Sequence, residues 1–150
     1  MPNLSDFFSD EFKQNFALQN ITIGSVLRCF VKNTNPPKEK RFVVLGFDNN
    51  GNLVGTVFIN TEINWKVNRT MELAQLQLYV RAEDNDYLDW DSYIDCSELV
   101  EIPKNEIATA ISTNPTNVLG TVNNEDFTNI IEYVKKSSKN PQKLLKKYKI

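Results

Sequence analysis

Lys40-Arg41-Phe42-Val43-Val44-Leu45-Gly46-Phe47 and Leu53-Val54-Gly55-Thr56-Val57-Phe58-Ile59-Asn60-Thr61, joined by Asp48-Asn49-Asn50-Gly51-Asn52, decide the fold of this 150-residue chain. The first segment is a continuous apolar run entered by two cations. Such a run predicts a strand covered on both faces. The Asn-Gly pair predicts a tight hairpin, because it supplies positive φ values. The second segment returns as the partner strand and closes on a hydroxyl.

Working outward, Gly24 opens a strand-rich region whose first strand is Val26–Val31. Asn33-Thr34-Asn35-Pro36-Pro37 breaks it into a loop. Residues 60–70 read as a polar loop containing Trp65. Leu73–Val80 reads as a strand with Leu76, Leu78 and Val80 on one face, and Tyr93-Ile94-Asp95 as a short closing strand. Upstream, residues 4–18 read as a helix capped by Ser5 or Asn3, with Phe8, Phe12 and Phe16 forming one apolar stripe. Downstream, helices are expected at Glu106–Ile111 and 125–136, the latter capped by Asn123 or Asn124, and a final turn or two over 142–149. The expected class is mainly β with appended helices in one domain, 1–150. Its parts are an N-terminal helical extension (1–22), a small β-barrel core (23–102) and a helical C-terminal part with a Lys-rich tail (103–150).

The net charge of −2 hides a strong segregation. Residues 135–150 hold seven lysines and no acid, so residues 1–134 carry a charge of −9. Residues 82–101 contain eight acids and no Lys or Arg. That asymmetry predicts either an electrostatic role for the lysines or a solvated lysine face on a terminal helix. Cys29 and Cys96 have no ligand spacing and read as buried thiols. No stretch approaches the apolar length of a membrane span. With no basic-then-apolar leader pattern, a cytoplasmic location is expected.

There is no histidine. That removes Ser-His-Asp triads, Cys-His nucleophiles and histidine metal sites. No glycine-rich phosphate loop occurs, and residues 83–91 lack the spacing, glycine and terminal glutamate of an EF-hand. The remaining polar toolkit is Arg, Lys, hydroxyls and carboxylates, and no cofactor or metal is expected. Those groups suit RNA cleavage in which the 2′-hydroxyl of the RNA is the nucleophile. A guanidinium fork grips two phosphate oxygens and stabilises their growing charge, and a hydroxyl orients them.

The order of segments resembles the PemK/MazF family of toxin endoribonucleases over roughly residues 24–134. Gly24-Ser25-Val26-Leu27 is similar to that family's opening strand, and Lys40-Arg41-Phe42-Val43-Val44-Leu45 to its basic residue leading into an apolar strand. Phe58-Ile59-Asn60-Thr61 sits where the family's next strand ends in threonine. Tyr93 to Ile102 resembles its Ile-Asp-x-Ser-x-Leu-x-x-Ile segment, and Leu119 to Phe127 its Gly-containing helix start. The resemblance implies an SH3-like barrel, a homodimer, an antitoxin partner and single-stranded RNA as substrate. It places the catalytic pair at Arg41 and Thr61, with Thr56 a fallback hydroxyl. Phe42 stands where the family commonly has proline after the arginine, and Ile59-Asn60 where it has proline before the threonine.

The substrate contacts expected around that pair are Lys38, Lys40, Asn60, Asn64, Trp65, Lys66 and Arg69, from the loops flanking the hairpin. Trp65 offers a stacking surface for a base. The competing expectation is a non-catalytic SH3-like adaptor, with Trp65, Trp90, Tyr87 and Tyr93 forming an aromatic groove for an extended peptide. The first expectation for Trp90 and Tyr93 is the edge of the core. An Arg41–Thr61 pair facing an open groove favours the nuclease. A buried Thr61, or Arg41 paired with the acidic loop, favours the adaptor.

Overall fold

The computed structural model describes residues 9–32, 34, 36–63 and 70–150. In chain order the elements are α1 (Asp10–Asn20), β1 (Ser25–Val31), β2 (Lys38–Phe47), β3 (Leu53–Asn60), α2 (Met71–Ala74), β4 (Gln77–Val80), β5 (Ser92–Asp95), β6 (Val100–Pro103), α3 (Lys104–Thr113), β7 (Val118–Thr121), α4 (Asn124–Lys136) and α5 (Gln142–Lys147).

Among the described residues the seven strands form one antiparallel sheet in the order β4-β5-β3-β2-β1-β7. Strand β6 also pairs with β3, through Leu53–Thr56, while β5 takes the other end of β3 at Ile59 and Asn60. The path ends at β4 and β7, which are not paired with each other, so the sheet is not the closed barrel expected from the sequence.

Alternation explains the layering. Successive residues of a strand point to opposite faces. On β2, Val43 and Leu45 enter one buried cluster with Val26, Val57, Ile59, Ile94, and Ile130 and Val134 of α4. Phe42 and Val44 enter the other, with Leu27, Val54, Ala17 of α1, and Ile107 and Ile111 of α3. The sheet therefore lies between α1/α3 and α4/α5, and the apolar run 42–45 is buried because both its faces are covered. The hairpin forms as expected, but only Gly51 has positive φ (70°), and Asp48 Oδ1 accepts from the backbone N–H groups of Asn52 and Leu53.

Several local expectations are corrected. Leu73 and Ala74, expected at the start of a strand, belong to α2, and the strand begins only at Gln77. Thr70 Oγ1 accepts from Leu73 N at 3.2 Å and so caps a helical turn before β4 begins. The caps expected for the N-terminal helix lie outside the described residues, as does Phe8; α1 is capped by Ser9, whose Oγ accepts from Phe12 N. Phe12 is exposed, and Ala17 and Ile21 carry the buried face instead. Helix α4 begins as read, with Asn123 Oδ1 accepting from Asp126 N at 2.7 Å, two acids in its first turn and two lysines in its last. Those charges oppose the partial charges of the helix ends.

The Lys-rich tail is anchored. Leu145 and Tyr148 are buried. The Tyr148 ring lies against Gly55, where a Cβ would come within 2.9 Å of it, and its carbonyl oxygen would be 2.7 Å from a Cβ at Gly46. Gly46 and Gly55 are register partners beside a bulge. Together they leave a slot that a larger residue on either strand would fill. Tyr148 Oη donates to Glu101 Oε2 at 2.6 Å, as does Lys147 Nζ. Among the described residues no helix is long and apolar enough to cross a membrane.

Candidate anion site on the sheet

Arg41 is held on β2 directly opposite Arg28 on β1 and Ile59 on β3. Like charges opposite one another on a strand pair are unfavourable without counter-charge. Each guanidinium has one. Arg41 Nη2 donates to Asp89 Oδ2 at 2.5 Å and Nη1 to the Tyr87 carbonyl at 3.4 Å. Arg28 Nε donates to Asn117 Oδ1 at 3.0 Å and lies 3.4 Å from Glu39 Oε1. Asn117 reaches Arg28 because β7 pairs with β1 immediately after it. The two arginine side chains are 25% and 27% exposed, whereas Glu39 and Asp89 are 64% and 68% exposed. The cations are thus fixed and half sunk, and the carboxylates are at the water. The hydrogen bond from Arg41, and then its charge, hold the Asp89 carboxyl below its ordinary pKa.

Thr61 is exposed and directly follows β3. It lies in a bend two residues beyond Ile59, the register partner of Arg41. The fallback Thr56 is corrected: it is fully buried, and its Oγ1 donates to the Val100 carbonyl at 2.9 Å, so it is structural.

The other expected contacts divide. Lys38 and Lys40 alternate with Arg41 and occupy the opposite face of β2. There Lys40 Nζ hydrogen-bonds Asn60 Oδ1 and lies 5.2 Å from the centre of the Phe58 ring. Burial, then the charge of Lys38, lowers its pKa. Lys40 and Asn60 therefore meet each other rather than Arg41. Asn64, Trp65, Lys66 and Arg69 lie outside the described residues.

The aromatic groove of the competing reading is only partly present. Tyr87 is buried in the core with its hydroxyl unpaired among the described residues, and burial pushes its pKa up to about 12. Trp90 is 71% exposed rather than part of the core edge. Tyr93 is half-buried, its ring 5.4 Å from that of exposed Tyr79. Both cysteines are free and buried, as read. Burial pushes the Cys29 thiol up to about 11 and raises that of Cys96 further, so neither is a ready nucleophile. Among the described residues no three acids or cysteines converge on a position for a metal ion. The acidic loop is instead spent on local partners: Glu83 with Arg81, Asp91 with Tyr79 Oη and Ala82 N, Asp89 with Arg41.

Arg28 is the residue that sequence reading missed. Its signal was a lone cation inside an apolar strand, on the same alternation as Val26. Only the register shows that it faces Arg41. No family model matches the chain, and no curated protein matches it significantly.

Proposed function

We propose that the chain acts on single-stranded RNA as a PemK/MazF-like, metal-independent endoribonuclease or a relative that keeps the binding step. The observation that carries this reading is the cross-strand pair of half-sunk guanidinium groups, Arg28 and Arg41, with exposed Thr61 two residues past Arg41's partner Ile59. Two forks side by side suit the oxygens of one phosphodiester. In the reaction the 2′-oxygen bonds to phosphorus and the 5′-oxygen leaves. Arg41 and Arg28 offset the charge that builds on the non-bridging oxygens, and Thr61 orients one of them. The open strand order is read as a relaxed form of the SH3-like barrel of that family. A homodimer and an antitoxin partner come with the resemblance.

The adaptor reading is favoured by one observation: Arg41 is paired with the acidic loop. Exposed Thr61 and buried Tyr87 weigh the other way. Incubation of single-stranded RNA with the protein in EDTA separates the two. Cleavage by the wild type and its loss in Arg41→Ala supports the nuclease. Equal cleavage by both, or none by the wild type with no RNA retained, removes it.

A further inference from the structure

We propose that Asp89 is a built-in occupant of the Arg28–Arg41 site, so that the acidic loop and an RNA phosphate compete for the same guanidinium groups. The inference rests on the RNA reading above and concerns the regulation of that site. Its physical basis is the way the loop is held. Tyr87 and Leu88, immediately before Asp89, are buried in the core, and the Tyr87 carbonyl itself accepts from Arg41. After it, Ser92 Oγ donates to the Trp90 carbonyl at 2.6 Å, and Asp91 Oδ1 accepts from Ala82 N at 2.9 Å.

The backbone on either side of Asp89 is therefore pinned by the burial of Tyr87 and Leu88 and by the Ser92 and Asp91 bonds, to which the Arg41–Tyr87 carbonyl bond adds. The Asp89 carboxylate lies across the guanidinium but remains mostly in water. It can rotate away without unfolding the loop. Arg28 adds attraction to the same carboxylate from the neighbouring strand, and its own acid, Glu39, is equally hydrated. A carboxylate is a monoanion with two acceptor oxygens. A phosphodiester offers the same charge and geometry to the same fork. Glu83, Asp84, Asp86 and Asp91 add further negative charge to the same loop.

The consequence is an intramolecular competitor. An exposed ion pair of this kind favours the closed arrangement by roughly fivefold. Apparent ligand affinity falls in proportion to the fraction of open sites. Asp89→Asn, which keeps the shape and removes the charge, is expected to bind a short unstructured oligouridylate about fivefold more tightly than the wild type at low salt. Adding Arg41→Gln removes the gain. The thermal midpoint of Asp89→Asn, lowered only slightly by the loss of one exposed ion pair, verifies folding.

Inorganic pyrophosphate is titrated in parallel, followed by the arginine Nε–H resonances. A gain for both ligands supports the competition. A gain for pyrophosphate without RNA binding by either protein keeps the competition and removes the RNA reading. RNA bound equally by wild type and Asp89→Asn keeps the RNA reading and overturns the competition. Failure of both proteins to bind either ligand overturns both.

Discussion

Arg28 and Arg41 face one another across the β1–β2 ladder, each leaning on a single exposed carboxylate. Two like charges in register are an unusual choice for a sheet that could have used apolar residues there. The neighbours Val26 and Val43, one step along the same face, show what a purely structural pair looks like at this point. Each guanidinium is instead offset by its own carboxylate.

The hydroxyl that matters is expected to be Thr61 and not Thr56. Thr61→Ala removes an exposed side chain, so stability stays within about 0.5 kcal/mol while RNA cleavage falls. Thr56→Val leaves the Val100 carbonyl without its donor and costs about 1 kcal/mol, with cleavage retained once the protein is folded. Urea midpoints and cleavage rates on both variants check this. Loss of cleavage in Thr56→Val alone would reverse the assignment.

The Asp89–Arg41 pair predicts a pH effect of definite sign. The folded-state pKa of Asp89 is depressed. Its contribution to stability is present above the unfolded value of about 3.9 and is lost as pH falls through the folded value. In Arg41→Gln the Asp89 carboxyl resonance is expected to titrate higher than in the wild type. A titration unmoved by the substitution would mean that the pair does not form in solution.

The C-terminal anchor predicts a coupled pair of variants. Gly55→Ala drives a methyl into the Tyr148 ring and is expected to cost about 1–3 kcal/mol. Tyr148→Ala, at a nearly fully buried aromatic, costs about 3–5 kcal/mol. In the double variant the clash has no ring to meet, so the two losses fall short of additivity. Chemical unfolding of the three proteins gives the interaction energy. Strict additivity would show that Tyr148 does not fill that slot.

The same anchor is pH-sensitive at both extremes. The hydrogen bond from Lys147, then that from Tyr148, depress the Glu101 carboxyl. The stability it gives is present above the unfolded value of about 4.3 and is lost as pH falls through the folded value. Burial, then the bond to Glu101, raises the Tyr148 hydroxyl. Its contribution is complete below the unfolded value of about 10 and is lost as pH rises above it. Tyr148→Phe is therefore expected to flatten the alkaline limb of a urea-midpoint profile, and Glu101→Gln the acid limb. Profiles parallel to the wild type would detach both groups from the anchor.

Much of the fold can be read from short-range pattern. The apolar run at 42–45 demands cover on both faces, and its two alternating sets do enter two separate clusters. Gly51 at the hairpin and Asn123 at the start of α4 follow from backbone chemistry within a few residues. The opposite facing of Lys40 and Arg41 was also contained in the period of a strand, although both were assigned to one groove. The short strands β6 and β7 gave no such signal, because four residues hold too few repeats to show a period.

What the chain alone determined, then, is the central hairpin, the cover on both faces of residues 42–45 and the start of α4, and that any chemistry must use guanidinium, ammonium, hydroxyl and carboxylate groups. The tertiary structure decided who meets whom. Arg41 finds Asp89 across 48 residues, and Tyr148 finds Glu101 across 47. Local patterns arise from the geometry of consecutive peptide units and so repeat along the sequence. Contacts between distant segments depend on register and packing of the whole sheet, which leave no periodic trace in the residues that make them.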